Sequence, residues 1–129
     1  MVAEMKETEI VKAILLAVGN EPDFRLWRNN VGALPDVTGR VVTYGLAPGS
    51  ADLIGVLAPW GRLIALEVKT HRKGSKQTED QVNWEKVIHE MNGVYVVVRS
   101  AEDARAVLEW ARGGPFATNK LILPSQEKR

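Results

Sequence analysis

The stretch that most limits how this chain can fold is residues 50–70, SADLIGVLAPWGRLIALEVKT. Residues 52–58 are apolar after Asp52 and rich in strand formers, Pro59-Trp60-Gly61 is a break, and residues 62–70 are apolar again up to Glu67. Two such runs across a short Pro/Gly interruption predict a β-hairpin. A turn centred near Trp60 sets Asp52 roughly opposite Glu67. Side chains alternate between the faces of a strand, so Glu67 and Lys69 share one face. Directly opposed residues have Cβ atoms about 4.5–5.5 Å apart, and a slip of one residue would turn the whole set to the other face. In this register two carboxylates and an ammonium converge at the ends of otherwise apolar strands.

Two physical explanations fit that convergence equally well on spacing alone. In the first, a divalent cation sits between the carboxylates and relieves their repulsion. Mg²⁺ takes oxygen ligands and is commonly held by only one or two carboxylates plus water and phosphate oxygens. It would activate a water and stabilise a phosphoryl group under attack, with Lys69 orienting the water or neutralising developing charge. In the second, Lys69 and Asp52 form a cross-strand salt bridge on a wet edge, since ion-pair networks also gather charges.

The rest of the chain predicts what surrounds the hairpin. Residues 4–18 have helical period, with Ile10, Val11, Ile14, Leu15 and Val18 in one stripe. Glu7 falls on that inward stripe and Glu9 faces out; Glu7 is either a site carboxylate or a frayed first-turn acid still in reach of water. Residues 24–28 predict a strand leading into Arg28-Asn29-Asn30, whose donors could hold phosphates or a site carboxylate, although taken by themselves they read first as a polar turn after an edge strand. Residues 33–38 predict a loop, 40–44 a short strand, and 45–50 a Gly-rich approach to Asp52 in which glycine admits a close ligand. After the hairpin, residues 71–77 form a basic loop. Thr78-x-x-Gln81 has capping-box form and opens a helix to about Met91, with Gln81, Trp84, Ile88 and Met91 on one face. Gln81 closes the box, points toward the charged end of the hairpin, or does both. Residues 94–99 predict a buried strand. Ser100 with Asp103 opens a last helix striped by Ala104, Val107, Leu108 and Ala111. Beyond Gly113-Gly114-Pro115, residues 121–123 predict an edge strand and the remainder a loose tail.

Composition narrows the class. The chain has 129 residues, 45% of them hydrophobic and 26% charged, which predicts one globular domain with a sizeable core. With no cysteine, disulfides, thiolate zinc and cysteine nucleophiles are excluded, a composition that suits a reducing cytoplasm. Neither His71 nor His89 has a second histidine at ligand spacing. No signal peptide or membrane-length apolar run is visible. A net charge of +1 means that nucleic-acid binding would need segregated charge. Lys69, Arg72, Lys73 and Lys76 do cluster, while Glu79, Asp80 and Glu85 follow.

Asp52 with Glu67-Val68-Lys69 inside an α-β-β-β-α-β order resembles the PD-(D/E)XK nuclease core. Together with Glu7-x-x-Ile10, Arg28-Asn29-Asn30, Gly49-Ser50-Ala51-Asp52 and Thr78-x-x-Gln81, it resembles the virus-type replication-repair nuclease (VRR-NUC) domain, with Ala51 standing where that family's namesake proline would be. The match runs from about residue 4 to 100. The resemblance implies an α/β fold with a small mixed sheet flanked by helices. Residues 1–112 would be the nuclease domain and 113–129 a C-terminal extension. It further implies a Mg²⁺- or Mn²⁺-dependent endonuclease acting on DNA, selective for four-way junctions or other branched DNA, and working as a homodimer in the cytoplasm of a phage or bacterial-type system. Asp52, Glu67 and the Val68 carbonyl would be metal ligands, with Glu7 completing the metal or water shell. Lys69 would position the water and Gln81 would orient Lys69 or the nucleophile. Arg28, Asn30, Arg72, Lys73 and Lys76 are the DNA-contact candidates. The competing expectation is a DNA-binding module that keeps the fold without turnover.

Overall fold

The computed structural model describes residues 5–30, 32–44, 49–71, 76–114 and 119–126. The apolar stripe of the N-terminal segment folds as helix α1 (Glu7–Val18), which buries Ile10, Val11, Ile14 and Val18. Gly19 closes it by donating its N–H to the Leu15 carbonyl. The short strand β1 (Asn20–Glu21) then turns back on β2 (Phe24–Arg28).

The hairpin is β5 (Leu53–Leu57) against β6 (Arg62–Val68), antiparallel, with Leu53 opposite Leu66. One step further along that register lie Asp52 and Glu67, as the turn arithmetic predicts. Helix α2 (Glu79–Glu90) carries the chain over the sheet to β7 (Val94–Val98), which pairs in parallel with β6. Helix α3 (Ala101–Ala111) follows. The result is a single small α/β domain around a mixed five-stranded sheet, in the order β1-β2-β5-β6-β7.

Strand alternation divides the core in two. One sheet face supplies Phe24, Leu26, Leu53, Leu57, Ile64, Leu66, Val68, Val94 and Val98, which pack against the stripes of α1 and α3. The other supplies Ile54, Ala65 and Tyr95, which pack with Ala51 under Ile88 and Trp84 of α2. Glu67 and Lys69, two and four residues beyond Ala65, therefore lie on the α2 face. Trp27 and Val56 belong to the same face but lie outside the cover of α2, 48% and 42% exposed.

Four expectations are corrected. Residues 33–38 are not all loop: β3 (Gly32–Pro35) pairs with β4 (Val41–Tyr44) as a separate two-stranded hairpin. Its turn is built by Asp36, whose Oδ1 accepts from the N–H groups of Thr38 and Arg40 and from the Thr38 hydroxyl. Pro35 ends β3, and Gly39 lies in the turn, donating its N–H to the Asp36 carbonyl. Residues 121–123 form no strand. Leu123 drops into the core, and Pro124–Gln126 makes a 3₁₀ turn whose Ser125 donates both its N–H and hydroxyl to Asp103. Residues 119–126 of the C-terminal extension are thus tied to α3 through Asp103. Met91 does not join the inner face of α2; it caps the helix and is 76% exposed. The strand β2 is an inner strand, because β1 covers its far side.

Candidate active site

The site is built where β5 begins and β6 ends. Three hydrogen bonds from Asn29 hold the segment entering β5: its N–H reaches the Asp52 carbonyl at 2.8 Å, and its Nδ2 reaches Ser50 Oγ and the Ala51 carbonyl, each at 2.9 Å. The polar triplet after β2 is therefore a strap on the loop that presents Asp52. Across the hairpin, the Val68 N–H donates to Asp52 Oδ2 at 2.8 Å. N–H and C=O of one strand residue point to the same side of an antiparallel ladder, so the Val68 carbonyl also faces Asp52.

Glu67 is only 3% exposed, one of two charged side chains buried among the described residues. Burial pushes its carboxyl up to about 9, helped by a hydrogen bond to Asp52 and by the charges of Asp52 and Glu7, and opposed by Lys69. The raised carboxyl of Glu67 and its hydrogen bond to Asp52 let the two acids sit side by side. Lys69 extends the parallel pairing by donating its N–H to the Val98 carbonyl at 3.0 Å. Its ammonium is close enough to lower both Glu67 and Glu7. The Lys69–Asp52 salt bridge is not formed: among the described residues the ion pairs join Arg112 to Asp23 and to Glu109.

Glu7 lies in the exposed first turn of α1, yet partial burial and then the charge of Asp52 raise its carboxyl, with Lys69 pulling it down. With Thr8, Val11, Arg28, Asn29, Asn30 and Asp52 it lines a cleft of about 410 Å³. Arg28 and Asn30 are exposed at its rim, positions from which they can meet an anionic ligand. Gln81 does close the capping box: its Oε1 accepts from the Thr78 N–H at 2.8 Å, and its own N–H donates to Thr78 Oγ1 at 3.2 Å. Any orienting role would fall to its Nε2. Lys76 is exposed. Arg72 and Lys73 lie outside the described residues.

The donor set fits a hard divalent cation with modest protein ligation. Two carboxylates are forced together, one of them stripped of water, and a backbone carbonyl faces them. Among the described residues, no three side chains of the Asp, Glu, His or Cys type meet closely enough to make a cage. Water or phosphate oxygens would complete the sphere, as is usual for Mg²⁺. Glu7 would then act at the edge of that sphere.

Sequence reasoning missed two parts of the site. The close approach expected at Gly49 is made to protein: a Cβ there would lie 2.5 Å from Cβ of Asp80, and its φ of +88° itself favours glycine. Tyr95 was read only as part of a buried strand, but its hydroxyl reaches the Gly49 carbonyl at 3.1 Å and Glu67 Oε2 at 3.4 Å. A tyrosine inside a run of valines was the available signal, because a buried phenol needs a polar partner.

No helix among the described residues is long and apolar enough to cross a membrane. In comparisons with known proteins, no family model, no curated protein and no solved structure matches this chain.

Proposed function

We propose that this chain is a divalent-metal-dependent DNA endonuclease of the VRR-NUC type on a PD-(D/E)XK core. The observation that carries the reading is the Asp52–Glu67 pair. Two acids held together at the mouth of a hairpin, one of them buried and protonated without metal, cost stability that a fold would not keep for packing alone. Mg²⁺ or Mn²⁺ at this pair would supply an acidified water and charge neutralisation at the phosphoryl group. Asp52 and Glu67 would hold the ion, aided by the Val68 carbonyl. Lys69 hydrogen-bonds the water that attacks phosphorus. The water's oxygen would bond to phosphorus as the P–O bond to the departing sugar oxygen breaks, and the proton released by the water would be returned to that oxygen through solvent. Glu7 would steady the water shell from the cleft, Gln81 Nε2 would orient Lys69 or the water, and Arg28 and Asn30 would hold flanking phosphates. Arg72, Lys73 and Lys76 extend that backbone contact.

A domain this small has little surface for reading base sequence, so recognition rests on backbone and DNA shape. A homodimer fits a four-way junction, whose symmetry it would share. Such a DNA substrate is met in the cytoplasm of a bacterial or phage-infected cell.

The test is incubation of the full chain with linear duplex, flap and four-way junction DNA, with Mg²⁺, Mn²⁺ or EDTA. Cleavage should need metal, favour the junction over duplex of equal length, and be lost in Glu67→Gln. Undiminished cutting by a folded Glu67→Gln protein removes the metal mechanism. Junction binding without cutting under any metal condition makes the chain a silent DNA-binding module.

A further inference from the structure

Tyr95 is among the largest fully buried side chains, 1% exposed, and it stands on β7 directly opposite Ala65. Its ring packs with Ala51, Ile54, Ala65 and Ile88. A phenylalanine would fill that volume without taking a hydroxyl out of water, so the hydroxyl has to be accounted for by what it touches. It touches the two halves of the candidate metal site. One is Oε2 of Glu67, 28 residues away in sequence; the other is the carbonyl of Gly49, which opens the segment leading to Asp52.

A phenol has one proton to donate. Standing 3.1 Å from the Gly49 carbonyl and 3.4 Å from Glu67 Oε2, the Tyr95 hydroxyl lies between the two acceptors and links them. The elements on either side of the hydroxyl are tied to α2. His89 Nε2 lies 3.1 Å from the Tyr95 carbonyl and ties β7 to α2. Gly49 is pressed against Asp80 on the first turn of α2 with no room for a Cβ. The arrangement is symmetrical in kind: Asp52 Oδ2 is held by the Val68 amide, and Glu67 Oε2 has the Tyr95 hydroxyl beside it.

We infer that Tyr95 is a positioning residue for the metal ligand Glu67. It aims the carboxylate, and through Gly49 it couples that aim to the loop carrying Asp52. The inference rests on the metal-dependent reading of the site. Outer partners of this kind typically change metal affinity or activity about 10- to 100-fold when removed.

The experiment compares wild type, Tyr95→Phe and Glu67→Gln by calorimetric titration with Mn²⁺, by thermal melting without metal, and by junction cleavage across a Mn²⁺ series. Tyr95→Phe should melt close to wild type, bind Mn²⁺ about 10-fold or more weakly, and recover cleavage at high Mn²⁺. Glu67→Gln should bind none at the site. Equal Mn²⁺ affinity in wild type and Tyr95→Phe, with Glu67→Gln defective, overturns the positioning role alone. Equal affinity in all three overturns the metal reading and the positioning role with it. If Tyr95→Phe does not fold, 3-fluorotyrosine labelling of the wild type decides, with Tyr44→Phe assigning the signals. Saturating Mg²⁺ should shift the Tyr95 fluorine resonance, and an unmoved resonance overturns the inference.

Discussion

Glu67 is a residue whose charge the fold works against. Its carboxyl, ordinarily near 4.5, is raised to about 9 by burial and by its contact with Asp52. Between those two values the folded, metal-free chain holds a proton that the unfolded chain has released. Stability must therefore fall as pH rises across that window, by at most about 1.4 kcal/mol per pH unit for one proton. Denaturant unfolding of the metal-free protein at pH 5, 7 and 9 should show wild type losing stability toward alkaline pH. Glu67→Gln, which cannot ionise, should lose distinctly less. Parallel pH profiles for the two would mean that Glu67 is not the proton holder. Asp103 shows how the same kind of burial is met elsewhere by hydrogen bonding. Fully buried, it accepts from the Arg99 N–H and from both donors of Ser125, so it clamps the C-terminal turn onto α3.

At the scale of elements, α1 separates two acids by phase alone. Glu7 and Glu9 share the first turn, where both suit the helix dipole, but only Glu7 lines the cleft with Asp52, where partial burial and then the charge of Asp52 raise its carboxyl. Glu7→Gln should lower cleavage about 10-fold or more, as loss of an outer-shell group does, while Glu9→Gln leaves it unchanged. Steady-state cleavage by the two variants checks this, and the reverse outcome would put the wrong face of α1 over the site. The strap from Asn29 is an element-level device too. It acts only because β2 lies beside β5, with Arg28 opposite Leu53.

For the whole molecule, the β3–β4 hairpin is the part least explained by the single domain. An isolated two-stranded hairpin is marginal in water, and this one exposes Leu34 and Val42 on one face and Val41 on the other, with Val37 at its tip. Residues 32–43 carry one Asp and one Arg, which suits an apolar partner better than phosphates. In the proposed homodimer this exposed apolar arm would be the contact tested first. Light scattering should give about twice 14.3 kDa for wild type. The double variant Leu34→Glu/Val42→Glu should give the single-chain mass and lose its preference for junction over duplex. A wild-type monomer at working concentration would undercut paired nicking, and a dimeric double variant would move the contact elsewhere.

The hairpin that sets Asp52 against Glu67 was readable in the chain because its register depends on a short turn and a period of two, both local. The same holds for the caps at Thr78 and Ser100 and the stripes of α1 and α3, which follow from residues three or four apart. The β3 strand escaped that reading because its turn is made by one aspartate side chain, and residues 121–123 misled it because apolar spacing alone does not distinguish an edge strand from a segment plugged into a core. Tertiary structure alone decided which distant groups meet the two carboxyls. Parallel pairing of β7 with β6 carries Tyr95 to Glu67, the β2–β5 pairing carries Asn29 to the Asp52 loop, and the packing of α1 brings Glu7 over the cleft. No turn joins those partners, so their registers are chosen by which side chains can be buried together, and that is a property of the assembled core.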